Sequence, residues 1–339
     1  MFINDITINI SDGTKALKAT SFIPLIVGSG AIASGVIEIA QLSDITDAGY
    51  LSTDAEYEMA SAMLAQSPSP STIKIMRTDG AYATALTNLV TTDNDFYSVC
   101  IQSRENVDLA AVGSWCNSNK KFFFGCSNDP TALTGRNVTR EAYLIHDNDP
   151  DDYPECAWVG QNLPKIYTKH ITWKWKVLSG QNGNTFTSTQ LAAIRSNQGN
   201  ALQEQSGQVF TNEGIATDGS YIDITNDKDW IESELNIGFL SLMINNDVIP
   251  MDDTGLAQVE GVIRDVLGRA GGQGRIARAV STADKQKSDD KVYMYTVITP
   301  TRDSISANNR ALRNATGFQF TYYTAGAIHK IEVNGYVTV

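Results

Sequence analysis

Residues 28–33, Gly28-Ser29-Gly30-Ala31-Ile32-Ala33, fit the G-x-G-x-x-G/A spacing that cradles the pyrophosphate of a dinucleotide, and they follow an apolar run, Phe22 to Val27. In that fingerprint the glycines let backbone approach the phosphates, a helix N-terminus faces them, and an acid about 20 residues on holds the ribose. Asp44 and Asp47 lie roughly at that distance. The helix is the weak point: Val36, Ile37 and Ile39 are β-branched and Gly35 interrupts them, so a simple Gly-rich turn is the plainer reading. Asp147, Asp149 and Asp151 have the 1-3-5 spacing of a calcium loop, but Asp152 stands where glycine is needed and Trp158 where the bidentate glutamate is needed. A solvated acidic loop accounts for them. His146, His170 and His329 are the only histidines. They form no HxxxH or HExxH pair, and no G-x-S-x-G elbow accompanies them. Cys100, Cys116, Cys126 and Cys156 form no CxxC pair, and four cysteines in 339 residues fit reduced, buried thiols better than a disulfide framework. No catalytic residue, metal or cofactor is expected from these patterns.

Two basic features remain. Trp173-Lys174-Trp175-Lys176 alternates aromatic and basic residues. It would suit base stacking, although an amphipathic strand with its tryptophans inward is the simpler account. Arg264, Arg269, Arg275 and Arg278 fall in residues 261–281, which hold a single acid, Asp265. Such a cluster is either a solvated helix face or a local positive patch for an acidic protein partner.

The elements that would position these residues divide near residue 165. From 20 to about 165, strands and helices alternate. Thr53 and Glu56 have capping-box spacing and open a helix to about Gln66, where Ser67-Pro68-Ser69-Pro70 stops it. Strands are expected at Thr72–Met76, Phe96–Ile101 and Lys121–Cys126, and helices at Glu105–Cys116 and Arg136–His146, with an acidic, proline-bearing loop over Asp147–Glu155. That alternation predicts an α/β domain with a largely parallel sheet. Beyond 165 the order predicts a strand at Ile171–Leu178, a helix at Ser188–Ser196, and long helices at Asp227–Ile244 and Asp252–Ala270. Strands follow at Arg275–Val280, Lys291–Ile298, Gly317–Thr324 and Ile328–Val339. Strands beside grouped helices predict an α+β domain.

Apolar residues make up 42% of the chain, enough for packed cores, and the length favours two or more domains. The formal net charge of −12 argues against broad nucleic-acid binding, which needs a basic footprint. No run of about 18 apolar residues is present, so no transmembrane helix or membrane insertion is expected. Residues 1–11 have no basic n-region and their apolar residues alternate, so no signal peptide is expected.

Both ends of the sequence alternate with the period of a strand. Ile6, Ile8 and Ile10 alternate with Asp5, Thr7, Asn9 and Ser11, and Ile331, Val333, Val337 and Val339 alternate with Glu332, Asn334, Tyr336 and Thr338. Unpaired strand edges are templates for another chain. Residues 11–20 read as a linker, which fully extended spans up to about 33 Å. The two ends therefore predict strand exchange between copies.

Several stretches together resemble the contractile-tail sheath proteins of bacteriophages, in the compact myophage-type branch. They are Leu42-Ser43-Asp44-Ile45, Glu56-Tyr57-Glu58-Met59-Ala60 and Gln66-Ser67-Pro68-Ser69-Pro70 with the strand after it. Further on come Ile249-Pro250-Met251-Asp252-Asp253-Thr254-Gly255 entering a long helix, Asn309-Arg310-Ala311-Leu312-Arg313, and Ala325-Gly326-Ala327-Ile328-His329 with the terminal strand. The resemblance runs from about residue 20 to the end. It implies a subunit that stacks as six-fold rings around an inner tube, joined by terminal strands given to neighbours, and that contracts to drive the tube through a bacterial envelope. It also implies an α/β outer domain (21–165), an α+β inner domain (166–327) and exchanged N- and C-terminal β-strands in arms 1–20 and 328–339. Implied partners are the chain itself, the tail tube protein, and the baseplate and tail terminator proteins, in a virion tail assembled in the bacterial host cytoplasm. The arginine cluster would then be the tube-facing candidate. The competing readings are a nucleotide-dependent enzyme using the Gly28 turn, and a tube or baseplate protein. A discrete oligomer that binds dinucleotide would separate the enzyme from a polymer that binds none. A tube protein would be smaller and built around one β-barrel.

Overall fold

The computed structural model describes residues 22–31, 35–129, 131–147 and 150–333. An eight-stranded sheet has the order β2-β3-β1-β4-β5-β6-β7-β8. Its strands are β1 (Pro24–Ser29), β2 (Ile37–Ile39), β3 (Ile73–Thr78), β4 (Ser98–Ile101), β5 (Phe122–Ser127), β6 (Glu141–Ile145), β7 (Asn200–Gln205) and β8 (Gln208–Thr211). The strands from β3 to β7 pair in parallel, while the edge strands β2 and β8 are antiparallel. A parallel sheet is covered on both faces, which is why its central strands are continuous apolar runs such as Leu25-Ile26-Val27 and Phe122-Phe123-Phe124.

Period-two alternation sorts those runs between two cores. Ile26, Ile75, Phe122, Phe124 and Leu144 pack with Met59 and Met63 of α2 (Ala55–Leu64) and Cys156, Trp158 and Leu163 of α5 (Pro154–Ile166); α1 (Leu42–Asp47) adds Ile45. Leu25, Val27, Val99, Phe123 and Ile145 pack with α3 (Tyr82–Leu89), α4 (Asn106–Ser118) and Ile194 of α6 (Ser188–Ser196). A third core lies between α7 (Ile222–Ile244), α8 (Asp253–Gly272) and a two-stranded antiparallel ribbon of β9 (Tyr295–Ile298) and β10 (Gln319–Tyr322). Short helices α9 (Thr282–Gln286) and α10 (Ala307–Ala311) flank the ribbon in sequence.

Several sequence expectations are corrected. The segment expected as a helix over Arg136–His146 is β6, parallel to β5 and buried along its length, because a short apolar run does not declare its period. The expected acidic loop gives way at Pro154 to α5; proline at the first turn loses no intrahelical bond, so it starts the helix. Asp54 rather than Thr53 holds the N-cap position of α2, without a side-chain cap bond, and Glu56 turns inward to Arg77 at 2.5 Å. No strand forms over Ile171–Leu178; the backbone turns at Trp175, whose φ is 62°, leaving Trp173 buried and Trp175 about half exposed. Arg275–Val280 makes only isolated bridges, Ile276 with Thr324 and Arg278 with Tyr293. The sheet also runs past the composition shift near residue 165, through β7 and β8. Helix α7 starts at Ile222, ahead of the expected Asp227, and α8 lies where the periodicity places it, capped by the Asp252 carboxylate accepting from the Thr254 and Gly255 amides.

Candidate assembly interface

The N-terminal half of α7 is the joint of the molecule. Asp223, Asn226, Asp227, Asp229, Glu232 and Glu234 are all buried on it, a density of acids tolerated only because each finds a partner. Asp229 accepts from Arg140 at 2.5 and 2.6 Å and from the Tyr97 hydroxyl at 2.7 Å. Lys120 donates to Glu232 at 2.7 Å. Asn226 accepts from Trp173 Nε1 at 2.7 Å and donates to Tyr97 at 2.8 Å. Tyr97, Lys120 and Arg140 stand just before β4, β5 and β6, and Trp173 lies in the segment after α5. On the other side Arg269 bonds Glu234, and Asp227 takes Arg275 at 2.5 Å and His170 Nδ1 at 2.7 Å. Arg275 also donates to the Ile166 carbonyl. Burial pushes the Asp223 carboxyl up to about 6, with His170 opposing. Burial works against a charged His170, yet the bond and charge of Asp227 hold its pKa above the ordinary value. These residues were not singled out from the sequence. The available signal was the run of acids threaded between Trp230, Ile231 and Leu235 on every face of one helix.

The ribbon is the second element. Strand β10 has no strand on its outer edge among the described residues, and half of its side chains are exposed. Beyond it Ile328, Ile331 and Val333 are 79%, 79% and 83% exposed. No ladder forms over residues 328–333, where the sequence predicts the start of the terminal strand. Ile6, Ile8, Ile10, Val337 and Val339 lie outside the described residues.

The arginines do not form one patch. Arg275 is fully buried and is withdrawn as a surface candidate, since its guanidinium is consumed by Asp227. Arg264 bonds Glu260 at 2.6 Å and lies 3.5 Å from Asp289. Arg269 is held by Asp265 as well as Glu234. Arg278 is exposed and has no ion pair among the described residues.

The other chemical candidates are structural here. The next described element after β1 is the edge strand β2 and not a helix, and the Glu56 carboxylate fills the room over Gly28, 1.7 Å from where a Cβ would stand. His146 Nε2 faces the Asn182 carbonyl at 2.9 Å, and His329 Nε2 faces Thr172 Oγ1 at 2.8 Å. The Asp147 carboxylate accepts from Thr185. Among the described residues no three His, Cys, Asp or Glu side chains are placed to share a metal ion, and no helix is long and apolar enough to cross a membrane.

This mixed α/β fold matches solved structures from contractile assemblies. The chain aligns over 100% of its length with 100% of a chain in the anti-feeding prophage (AFP) baseplate, at a TM-score of 0.68 and 13% identity. It also aligns over 97% with 96% of a chain in the contracted PVC sheath complex of an extracellular contractile injection system, at 0.70 and 11%. A sheath tail protein from Desulfitobacterium hafniense aligns over 94% of this chain and 99% of its own, at 0.55 and 10%. At these identities the likeness establishes the fold. No curated protein sequence matches. Residues 222–337 match the family described as E217 tail sheath protein gp31-like, C-terminal domain, so the resemblance to phage tail sheath proteins drawn from the motifs is borne out.

Proposed function

We propose that this chain is the structural subunit of a contractile tail sheath, polymerising as stacked six-fold rings around an inner tube and contracting to drive the tube through a bacterial envelope. The observation that carries the reading is the sheath-family match over residues 222–337, which takes in α7, α8 and the open ribbon. A two-stranded ribbon is marginal alone, and a strand added along β10 by a neighbour would complete it through main-chain hydrogen bonds. The donors on this reading are the alternating segments around Ile6, Ile8 and Ile10 and around Ile331, Val333, Val337 and Val339, with residues 11–20 as the hinge. Residues 21–165 would form the outer domain and 166–327 the inner one.

Assembly on the tube would store the free energy in a metastable extended state, and contraction would release it by burying more surface between subunits, with no nucleotide consumed. Partners are other copies, the tube, and baseplate and terminator proteins, within a virion tail put together in the host cytoplasm. Arg264, Arg269 and Arg278 remain the tube-facing candidates. Arg278 gives the cleanest test, because reversing Arg269 would also set an acid against the buried Glu234. Negative-stain electron microscopy of the purified chain, alone and with its tube, tests the whole reading. Cylinders or stacked rings are expected; uniform small particles under both conditions would overturn it.

A further inference from the structure

In a chain of net charge −12, Lys165, Lys169 and Lys176 have no acid bonded to them among the described residues. Lys165 stands in the last turn of α5 and the Lys169 amide donates to the Lys165 carbonyl. The Lys176 amide donates to Thr211 Oγ1 and its carbonyl accepts from the Thr211 amide, at the end of β8, and its charge acts on Lys165. None of the three has an ion pair among the described residues. Burial first, then the charge of the other lysines, lowers the pKa of both Lys165 and Lys176. Burial and then Lys174, with Lys176 adding to it, lower His329 as well. The acids facing this region are few and engaged. Asp223 is buried beside His170 and is the one acid that acts on Lys176, and Glu213 is shared between Arg195 at 2.7 Å and Lys174 at 3.7 Å. Tyr167, between Lys165 and Lys169 in the chain, and Trp175, next to Lys176, are exposed.

The opposite end of the same helix is acidic. Asp151 and Asp152 are exposed in the turn just before Pro154, and the Asp151 side chain is 84% exposed, reaching only to 3.8 Å from Arg104. Thirteen residues of helix separate the two poles by about 20 Å, more than two Debye lengths of about 8 Å at physiological salt. They cannot neutralise one another within one chain. The helix dipole favours an acid at the start and a lysine at the end, but it acts only within the terminal turn and accounts for neither Lys169 nor Lys176.

We propose that Lys165, Lys169 and Lys176 are a docking surface for the Asp151–Asp152 turn of a second copy of this chain. Opposite poles on one rigid helix make this a head-to-tail contact, the type that builds rings and helical stacks and does not stop at a dimer. The inference rests on the polymerising reading above and adds to it which surfaces meet.

The test uses full-length chains, followed by sedimentation velocity and negative-stain microscopy across a salt series. Lys165→Glu/Lys169→Glu/Lys176→Glu and Asp151→Lys/Asp152→Lys should each raise the concentration needed for assembly by roughly tenfold or more. The chain carrying all five substitutions, and a mixture of the two variants, should regain it. Thermal unfolding checks the fold, and Lys165→Gln/Lys169→Gln/Lys176→Gln replaces the glutamates if they prevent folding. Wild-type assembly by the lysine variant, or no rescue by the five-fold variant, overturns the contact and leaves the sheath reading standing. Binding of duplex DNA or anionic vesicles that the lysine variant loses, with assembly unchanged, also overturns it. A wild-type chain that stays monomeric at every concentration, with and without tube, overturns the sheath reading itself.

Discussion

Arg275 shows what the buried joint demands of single residues. Its guanidinium is fully buried and bonds Asp227 and the Ile166 carbonyl. Removing one member of such a pair leaves the other charged and desolvated, which costs about 3–5 kcal/mol. Arg275→Ala should therefore lower the stability by that amount in urea titrations. Arg275→Met with Asp227→Leu should lose less, since the one group it strands, His170, can shed its charge. An equal loss in both would mean that packing against Trp230, 4.5 Å away, outweighs the charge. Asp223 makes a pH prediction. Its folded pKa of about 6 lies above the ordinary value of 3.8, so the native state holds its proton more tightly than the unfolded chain does. The contribution is present below about pH 4 and is lost as pH rises through about 6. His170, also raised, acts in the same sense from its ordinary value upward. The chain should be more stable near pH 5 than near pH 8 in this respect. Asp223→Asn should flatten the Tm profile between pH 4 and 6 and raise Tm at pH 8 by a few degrees. An unchanged profile would show that the carboxyl ionises freely.

At the scale of elements, α2 and α5 cross where Gly160 meets Met63. A Cβ on Gly160 would lie 2.5 Å from the Met63 carbonyl oxygen and 2.7 Å from its Cα. Helix propensity alone makes Gly→Ala favourable by about 1 kcal/mol, whereas overpacking against backbone costs about 1–3 kcal/mol. Gly160→Ala is expected to destabilise, seen as a lower urea midpoint with an unchanged m-value; stabilisation would mean that the helices separate freely. The same helix marks the limit of what the sequence tells. The apolar strands β1, β4 and β5 and the helices α4, α6, α7 and α8 were legible because their runs and caps agree with one period. Helix α5 was not, because Pro154 and Pro164 read as breakers and only the tertiary placement of Trp158 and Cys156 against the sheet makes it helical. Strand β6 was misread as a helix for lack of flanking turn signals. The acids of α7 were invisible as a joint because their partners Lys120, Arg140 and Arg275 are far away in sequence. The arginine cluster was legible as composition but not as a surface, since adjacency in sequence does not say which guanidinium the core has claimed.

For the whole molecule, the question is whether its ends belong to its own fold or to a neighbour's. The three apolar cores draw on residues from Phe22 to Tyr322, and Ile328, Ile331 and Val333 stand in solvent. In sequence, Ile6, Ile8 and Ile10 alternate as one strand face. If buried on another subunit, each would contribute about 1.5–3 kcal/mol, while contributing nothing to the stability of the chain that carries it. Deleting residues 1–10 should then leave Tm within a degree or two of the full chain and the protein soluble, yet abolish cylinders in negative stain. Adding the missing segment as a free peptide should not restore long polymers, because the hinge through residues 11–20 would no longer tie donor to acceptor. Long sheaths from the shortened chain would show that subunits join by surface contacts alone. A marked drop in Tm would show that the arm packs on its own chain, which would leave the β10 edge to be completed by another element.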